Sequence, residues 1–85
     1  MEVAYTKKAK EDIAFWKNSG NKKIMTKISD LITAITLNPF DGIGKPEPLK
    51  HSLLGCWSRR INQEHRIVYE VTDNKILIHS FKGHY

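Results

Sequence analysis

The chain has 85 residues and a formal net charge of +5, from 14 lysines and arginines against 9 acidic residues. Hydrophobic residues make up 40% of it and charged residues 27%, which excludes a disordered chain and indicates one small globular domain over residues 1–85. The basic balance is typical of a domain that binds nucleic acid, although a solvated, lysine-rich surface would give the same count.

The number and spacing of cysteines and histidines indicate the redox compartment of the protein and whether a metal site is expected. The only cysteine, Cys56, cannot form a disulfide within the chain, which is typical of a reducing compartment. The four histidines lack close ligand spacing, so we expect no metal site and no cofactor. No apolar run approaches the length of about 20 residues that a membrane span needs. We therefore expect a cytoplasmic protein that does not bind a membrane.

The first half of the chain predicts a strand followed by a helix. Residues 2–6 alternate and contain β formers, which favours a short strand. Thr6 offers a hydroxyl to cap a helix over residues 7–18, whose apolar positions fall on one stripe. Gly20 can end this helix because it adopts the left-handed conformation without strain.

A second helix over residues 22–37 carries the strongest periodic signal in the sequence, and Asn21 can cap its start. The helix ends at Asn38, because a residue that precedes a proline is pushed out of the α region. We expect the two helices to pack as an antiparallel hairpin on one face of a sheet. The apolar stripe that indicates this packing consists of Ile24, Ile28, Leu31, Ile32 and Ile35.

The second half predicts a loop and then three strands. Residues 38–55 contain three prolines and three glycines, which favours a long loop of restricted conformation. Residues 56–62, 65–71 and 75–82 alternate in hydrophobicity, and the short gaps between them favour antiparallel hairpins. The sequence therefore predicts an α+β fold with the element order β-α-α-β-β-β.

Glu47 is the first candidate for chemistry. It lies between Pro46 and Pro48, which hold the backbone of this carboxylate in an extended conformation. Such a group suits a general base or a residue that positions a phosphate, although a surface glutamate in a proline turn is the plainer interpretation. Three further residues give this stretch positive character: Lys45, Lys50 and His51.

All three arginines fall on one predicted hairpin, and guanidinium groups bind phosphate oxygens in a bidentate way. A three-residue loop at residues 62–64 would place Arg60 opposite Arg66, whereas a two-residue loop would align Arg59 with Arg66. The sequence leaves this register open, and salt bridges across the hairpin would explain the arginines equally well.

His84 and Tyr85 end the chain. A histidine held near a phosphate could protonate a leaving oxygen, and a tyrosine could stack on a base. Taken singly, each of these residues is equally compatible with an incidental position at a chain end.

Together, the motifs resemble the YoeB/Txe family of toxins, within the RelE superfamily, from bacterial type II toxin–antitoxin systems. The resemblance covers the whole chain. It rests on four motifs: Gly-Lys-Pro-Glu-Pro-Leu-Lys-His at 44–51, Trp-Ser-Arg-Arg-Ile at 57–61, Glu-His-Arg at 64–66 and the final His-Tyr.

The resemblance implies a RelE-like fold, with two N-terminal helices packed on a twisted, mostly antiparallel sheet. It also implies cleavage of messenger RNA in the ribosomal A site and restraint by an antitoxin of the YefM/Axe type. Operator DNA would be contacted only through the toxin–antitoxin complex, and a homodimer is a further possibility that the family suggests.

The resemblance also implies a role for each candidate residue. Glu47 would be the general base, His84 the general acid and Arg66 the group that stabilises charge in the transition state. Tyr85 would position or stack on a base. The residues expected to bind RNA or phosphate are Lys45, Lys50, His51, Arg59 and Arg60.

A rival hypothesis is a small basic module that blocks the ribosome without cutting RNA. A DNA-binding regulator is disfavoured, because both predicted helices bury their apolar faces.

Overall fold

The computed structural model describes residues 1–83, which form a five-stranded sheet and two helices. The predicted residues His84 and Tyr85 lie outside this described part. The elements are β1 (Glu2–Tyr5), α1 (Lys7–Ser19), α2 (Lys22–Leu37), β2 (Glu47–Pro48), β3 (Cys56–Arg60), β4 (Arg66–Thr72) and β5 (Lys75–Ser80). The α+β class is confirmed, and the predicted bounds of both helices match to within one residue.

The strands lie in the order β1-β5-β4-β3-β2, with β1 parallel to β5 and every other neighbouring pair antiparallel. The two helices follow β1 directly and cover one face of the sheet, where α1 packs against β5. Among residues 1–83, neither helix combines the length and apolar character needed to cross a bilayer.

Side-chain caps determine where the helices begin. The Thr6 hydroxyl accepts a hydrogen bond from the Ala9 N–H at 3.1 Å, and the Asn21 side chain accepts one from the Ile24 N–H at 3.1 Å. Gly20 separates the helices with φ of 73°, the left-handed conformation that a glycine adopts at no steric cost. The three predicted caps are therefore confirmed.

The core lies between the helices and the near face of the sheet. The predicted stripe of α2 is buried there at Ile24, Ile28, Leu31 and Ile35, while Ile32 is only half-buried at its edge. The sheet contributes mainly alternate residues of its central strands: Ile67, Tyr69, Ile76 and Ile78.

Two predictions about the second half need correction. The long loop contains a 3₁₀ turn at His51–Leu53 and the short strand β2, which pairs with β3 at the sheet edge. Proline is tolerated there because an edge strand leaves one side of its backbone unpaired. The predicted strands leave residues 72–74 for the β4–β5 turn, but Thr72 belongs to β4. The turn has only two residues, Asp73 and Asn74, which both adopt positive φ, as in a type I′ hairpin.

Candidate active site

The register of the β3–β4 hairpin decides which arginine faces which side of the sheet. Arg60 pairs with Arg66, and Arg59 pairs with Ile67. Because side chains alternate along a strand, Arg59 faces the helices, whereas Arg60 and Arg66 face away from them. We call the side facing away the outer face; it is defined by Arg60, Arg66, Ser58 and their cross-strand neighbours.

Strand β2 brings Glu47 onto the outer face. Its Cα lies opposite Ser58 across the β2–β3 pair, and its Oε2 lies 3.8 Å from Arg66 Nη1. The Glu47 side chain is 62% exposed and the Arg66 side chain 20% exposed. The carboxylate is therefore open to solvent or a ligand, while the guanidinium is largely held in place. An ion pair this exposed contributes little to stability. The approach of Glu47 to Arg66 is therefore of interest mainly for the reaction chemistry of the two groups.

Arg60 gives this surface a second guanidinium group. It is exposed at the end of β3, directly opposite Arg66 on the neighbouring strand. Like charges at opposite positions of a sheet disfavour each other. Two arginines beside one exposed carboxylate therefore suit a surface that receives an anion such as phosphate.

The expectation that Arg59 binds phosphate needs correction. Arg59 is completely buried on the helix side of the sheet. Its guanidinium donates to the carbonyls of Asn38, Asp41 and Ile43, and its Nε donates to the Tyr69 hydroxyl at 3.1 Å. A guanidinium whose donors are used in this way is unavailable to RNA, and it instead ties the start of the long loop to the sheet.

Tyr69 and two glycines complete this attachment. The Tyr69 hydroxyl donates to the Pro39 carbonyl at 2.6 Å, and burial raises the pKa of Tyr69, so the donor stays protonated. Gly42 and Gly44 both have positive φ and pass close to Arg59. A Cβ on Gly44 would come within 2.8 Å of the Leu31 side chain, so the loop that leads to Glu47 requires glycine there.

Helix α1 holds the segment that follows β5. The Trp16 indole N–H donates to the Phe81 carbonyl at 2.9 Å, and the Phe81 N–H donates to the Asp12 carboxylate at 3.0 Å. Phe81 itself is fully buried in the core. The sequence pattern of α1 predicts core packing alone and does not reveal these polar contacts to the segment after β5.

His65 adds a second attachment for this segment, on the helix side of the sheet. Its Nδ1 accepts the Gly83 N–H at 2.9 Å, and the Arg66 N–H donates to the Gly83 carbonyl at 3.0 Å. The imidazole also packs edge-on against the Trp16 ring. Gly83, the last described residue, is thus bonded to the main chain of Arg66 and to the side chain of His65. His65 belongs to the Glu-His-Arg motif at 64–66, in which the sequence assigned a role only to the arginine.

The remaining predicted phosphate ligands lie in the segment around β2. Lys45, Lys50 and His51 are all exposed, so they are accessible to a polyanion. Lys45 and His51 have positive φ, which is uncommon outside glycine. Their role in phosphate binding stays a prediction.

Two further side chains on the outer face were missed from the sequence. Ser58 is fully buried opposite Glu47, and its hydroxyl has no hydrogen-bond partner within residues 1–83. Cys56 is buried two residues away, where burial, with a smaller effect of the Glu70 carboxylate, raises the pKa of its thiol. A thiol that stays protonated at neutral pH is a poor nucleophile.

Fold and site together define a class of small α+β toxins, since solved toxins share the whole architecture. The YoeB/ParE toxin from Agrobacterium tumefaciens matches with a TM-score of 0.95 and 39% identity over 100% of both chains. The Staphylococcus aureus YoeB–YefM complex matches with a TM-score of 0.89 and 46% identity, over 100% of this chain and 98% of the other. The S. aureus YoeB dimer matches with a TM-score of 0.90 and 45% identity, over the same shares of the two chains.

The sequence comparison narrows the class to one family. The family model described as "YoeB-like toxin of bacterial type II toxin-antitoxin system" matches residues 5–85. Toxin YoeB of Synechocystis is 51% identical over 100% of this chain and 98% of its own length, and Toxin YoeB of Escherichia coli K12 is 46% identical over 100% of both. The chain belongs to the YoeB family of type II toxin–antitoxin toxins, and the RelE-like fold expected from the sequence is confirmed.

Proposed function

We propose that this toxin is a ribosome-dependent endoribonuclease that cuts messenger RNA in the A site. The observation that carries the proposal is the 3.8 Å approach of Glu47 Oε2 to Arg66 Nη1 on an exposed face. A carboxylate beside a guanidinium can remove a proton while the developing negative charge is stabilised nearby. Membership of the YoeB family supports the same substrate class.

Glu47 would take the proton from a ribose 2′-hydroxyl, whose oxygen then attacks the adjacent phosphorus. Arg66 would stabilise the additional negative charge on the phosphorane, and His84 would protonate the leaving 5′-oxygen. The products are a 2′,3′-cyclic phosphate and a 5′-hydroxyl. Because side chains serve as both base and acid, the reaction would need no metal ion, and DNA would resist cleavage because it lacks the nucleophile.

The position of Gly83 supports His84 as the acid. Gly83 is bonded to the Arg66 main chain and to the His65 ring, so the chain is held beside Arg66 at the residue that precedes His84. Preorganisation of this kind reduces the entropy cost of bringing an acid to its substrate. Tyr85 would stack on or position a base.

Positive groups around Glu47 would hold the RNA backbone. Arg60 is exposed opposite Arg66, and Lys45, Lys50 and His51 are exposed around β2. We assign all four to phosphate contacts. Buried Arg59 is excluded from this set.

The S. aureus complex supports an antitoxin of the YefM/Axe type as the protein partner, with operator DNA contacted only through that complex. The S. aureus dimer supports a homodimer as a further state. Ribosome and messenger RNA would be met in the cytoplasm. A toxin that only blocks the A site is the alternative, favoured by the basic charge alone.

Primer extension on a defined messenger RNA in a reconstituted translation mixture tests the proposal. Wild type, Glu47→Gln and His84→Ala would be compared with and without ribosomes. Glu11→Gln, an exposed change on α1, serves as the matched control. We expect new 5′ ends at A-site positions with wild type and Glu11→Gln, only with ribosomes, and a loss of about 10²-fold or more in the other variants. Arrested translation with intact message would establish the blocking module instead.

A further inference from the structure

Cys56, Glu70 and His79 lie far apart in the sequence and meet on the outer face. They are on three neighbouring strands, β3, β4 and β5. Cys56 pairs directly with Glu70, and Glu70 pairs with Leu77, two residues before His79 on the same face. One potential ligand atom from each residue lies within 4.8 Å of the other two. We propose that these three residues form a binding site for a divalent transition-metal ion of the zinc type.

The chemistry of the three donors selects this class of ion. Thiolate and imidazole are ligands that zinc prefers, while magnesium and calcium prefer oxygen alone. The ion would displace the proton of the Cys56 thiol, and the resulting thiolate and the Glu70 carboxylate would balance its two charges, with the imidazole bound in its neutral form. Three protein ligands leave a fourth tetrahedral position for water.

The geometry is close to what a tetrahedral ion requires. Ligand atoms around zinc lie about 3.3–3.8 Å apart, given bond lengths of 2.0–2.3 Å. His79 Nε2 and Glu70 Oε1 are already 2.7 Å apart in a hydrogen bond. The upper limit of 4.8 Å on the three separations exceeds the spacing around zinc by about 1 Å, so the ligand atoms would close by up to about that distance on binding. The ion would replace the hydrogen bond that now joins Glu70 and His79.

The surroundings favour a site of defined shape. The three residues line one hollow on the outer face, and all three lie on strands rather than loops, with His79 at the register shift of the β4–β5 pair. Two lysines border the same hollow, but each is engaged elsewhere. Lys8 pairs with the Asp12 carboxylate at 2.9 Å, and the Lys82 ammonium lies 4.1 Å from the centre of the Phe15 ring.

The three ligands are distinct from the candidate active-site residues, although Gly83, which the proposed mechanism uses, borders the same hollow. Along β4, Glu70 is four residues from Arg66, which corresponds to about 13 Å of extended chain. None of the three ligands belongs to the set assigned to RNA cleavage. The inference therefore stands independently of the proposed function, and each can fail without the other.

Cobalt(II) titration of the untagged, full-length toxin tests the site, because a cobalt–thiolate bond gives a charge-transfer band in the near ultraviolet. We expect saturation at one equivalent, displacement of cobalt by zinc, and a melting temperature several degrees higher with zinc. The charge-transfer band should disappear in Cys56→Ser. The affinity for cobalt should fall about 10-fold or more in Glu70→Gln and His79→Gln. Glu11→Gln, an exposed acidic residue outside the cluster, should titrate like wild type.

Identical cobalt spectra for wild type and Cys56→Ser would overturn the proposal, as would an affinity that His79→Gln leaves unchanged. A second measurement avoids variants altogether. X-ray absorption at the zinc edge of wild type with one equivalent of zinc should show one sulfur neighbour among nitrogen and oxygen neighbours. A shell of nitrogen and oxygen alone would place the ion elsewhere and refute the site.

Discussion

Arg59 and Arg60 are adjacent in sequence and identical in chemistry, yet they lie on opposite faces of β3. Arg59 is completely buried and bonded to three carbonyls and a tyrosine hydroxyl, whereas Arg60 is exposed opposite Arg66. The helix face uses its arginine to hold a loop in place, while the outer face leaves its arginine exposed. Two neighbouring arginines therefore have different surroundings, and strand alternation determines which one is buried.

Replacing Arg59 should produce the largest loss of stability. Arg59→Met removes the donors of three loop carbonyls and of Tyr69, so we expect the free energy of unfolding to fall by about 3 kcal/mol or more. Urea denaturation measures this effect. Arg60→Met is the matched control and should stay within about 0.5 kcal/mol of wild type. Equal losses in the two variants would contradict the distinction between the faces.

Removing the Tyr69 hydroxyl should cost less. Tyr69→Phe loses the bonds to Pro39 and Arg59, so we expect a loss of about 1–2 kcal/mol at pH 7. Because burial raises the folded-state pKa of Tyr69 above the ordinary value of 10.0, the contribution of its protonated form is fully present below that pH.

That contribution should be lost as the pH rises from 10 through the folded-state pKa, since the unfolded phenol ionises first. Denaturation of wild type and Tyr69→Phe from pH 7 to 11 should therefore show the gap between their stabilities narrowing above pH 10. A gap that stays constant would show that Tyr69 ionises equally in both states.

Replacing His65 tests whether the hydrogen bond that holds Gly83 contributes to catalysis. His65→Phe keeps an aromatic ring against Trp16 but removes the acceptor of the Gly83 N–H. If His84 is the general acid, we expect kcat to fall about 10-fold with little change in KM, because positioning and not RNA binding is impaired. Glu11→Gln, an exposed change on α1, is the control. A rise in KM with unchanged kcat would assign His65 to RNA binding.

Arg60 should give the smallest effect, confined to binding. In a Glu47→Gln background that does not cut, Arg60→Ala should weaken RNA binding and reduce the slope of log affinity against log salt by about 1. Its stability should change by less than about 0.5 kcal/mol. A salt slope identical to that of the parent would remove Arg60 from the phosphate contacts.

Much of the fold follows from local signals in the chain. Thr6, Gly20 and Asn21 determine the ends of the helices through contacts with residues three or four positions away, so their roles were predictable. Strand β2 was not predictable, because Glu47 and Pro48 form a strand only by pairing with β3. The approach of Glu47 to Arg66 depends on that pairing, which no local pattern encodes.

By itself, the sequence determined both helices, four of the five strands, the caps, the candidate carboxylate and arginines, and the family resemblance. Only the tertiary structure decided that Arg59 is buried, that Arg60 faces Arg66, and that Cys56, Glu70 and His79 meet. The physical reason is the two-residue period of a strand: a shift of one residue in register moves every side chain to the opposite face. Register depends on the turns and on the packing of the core, so it emerges only when the whole sheet has formed.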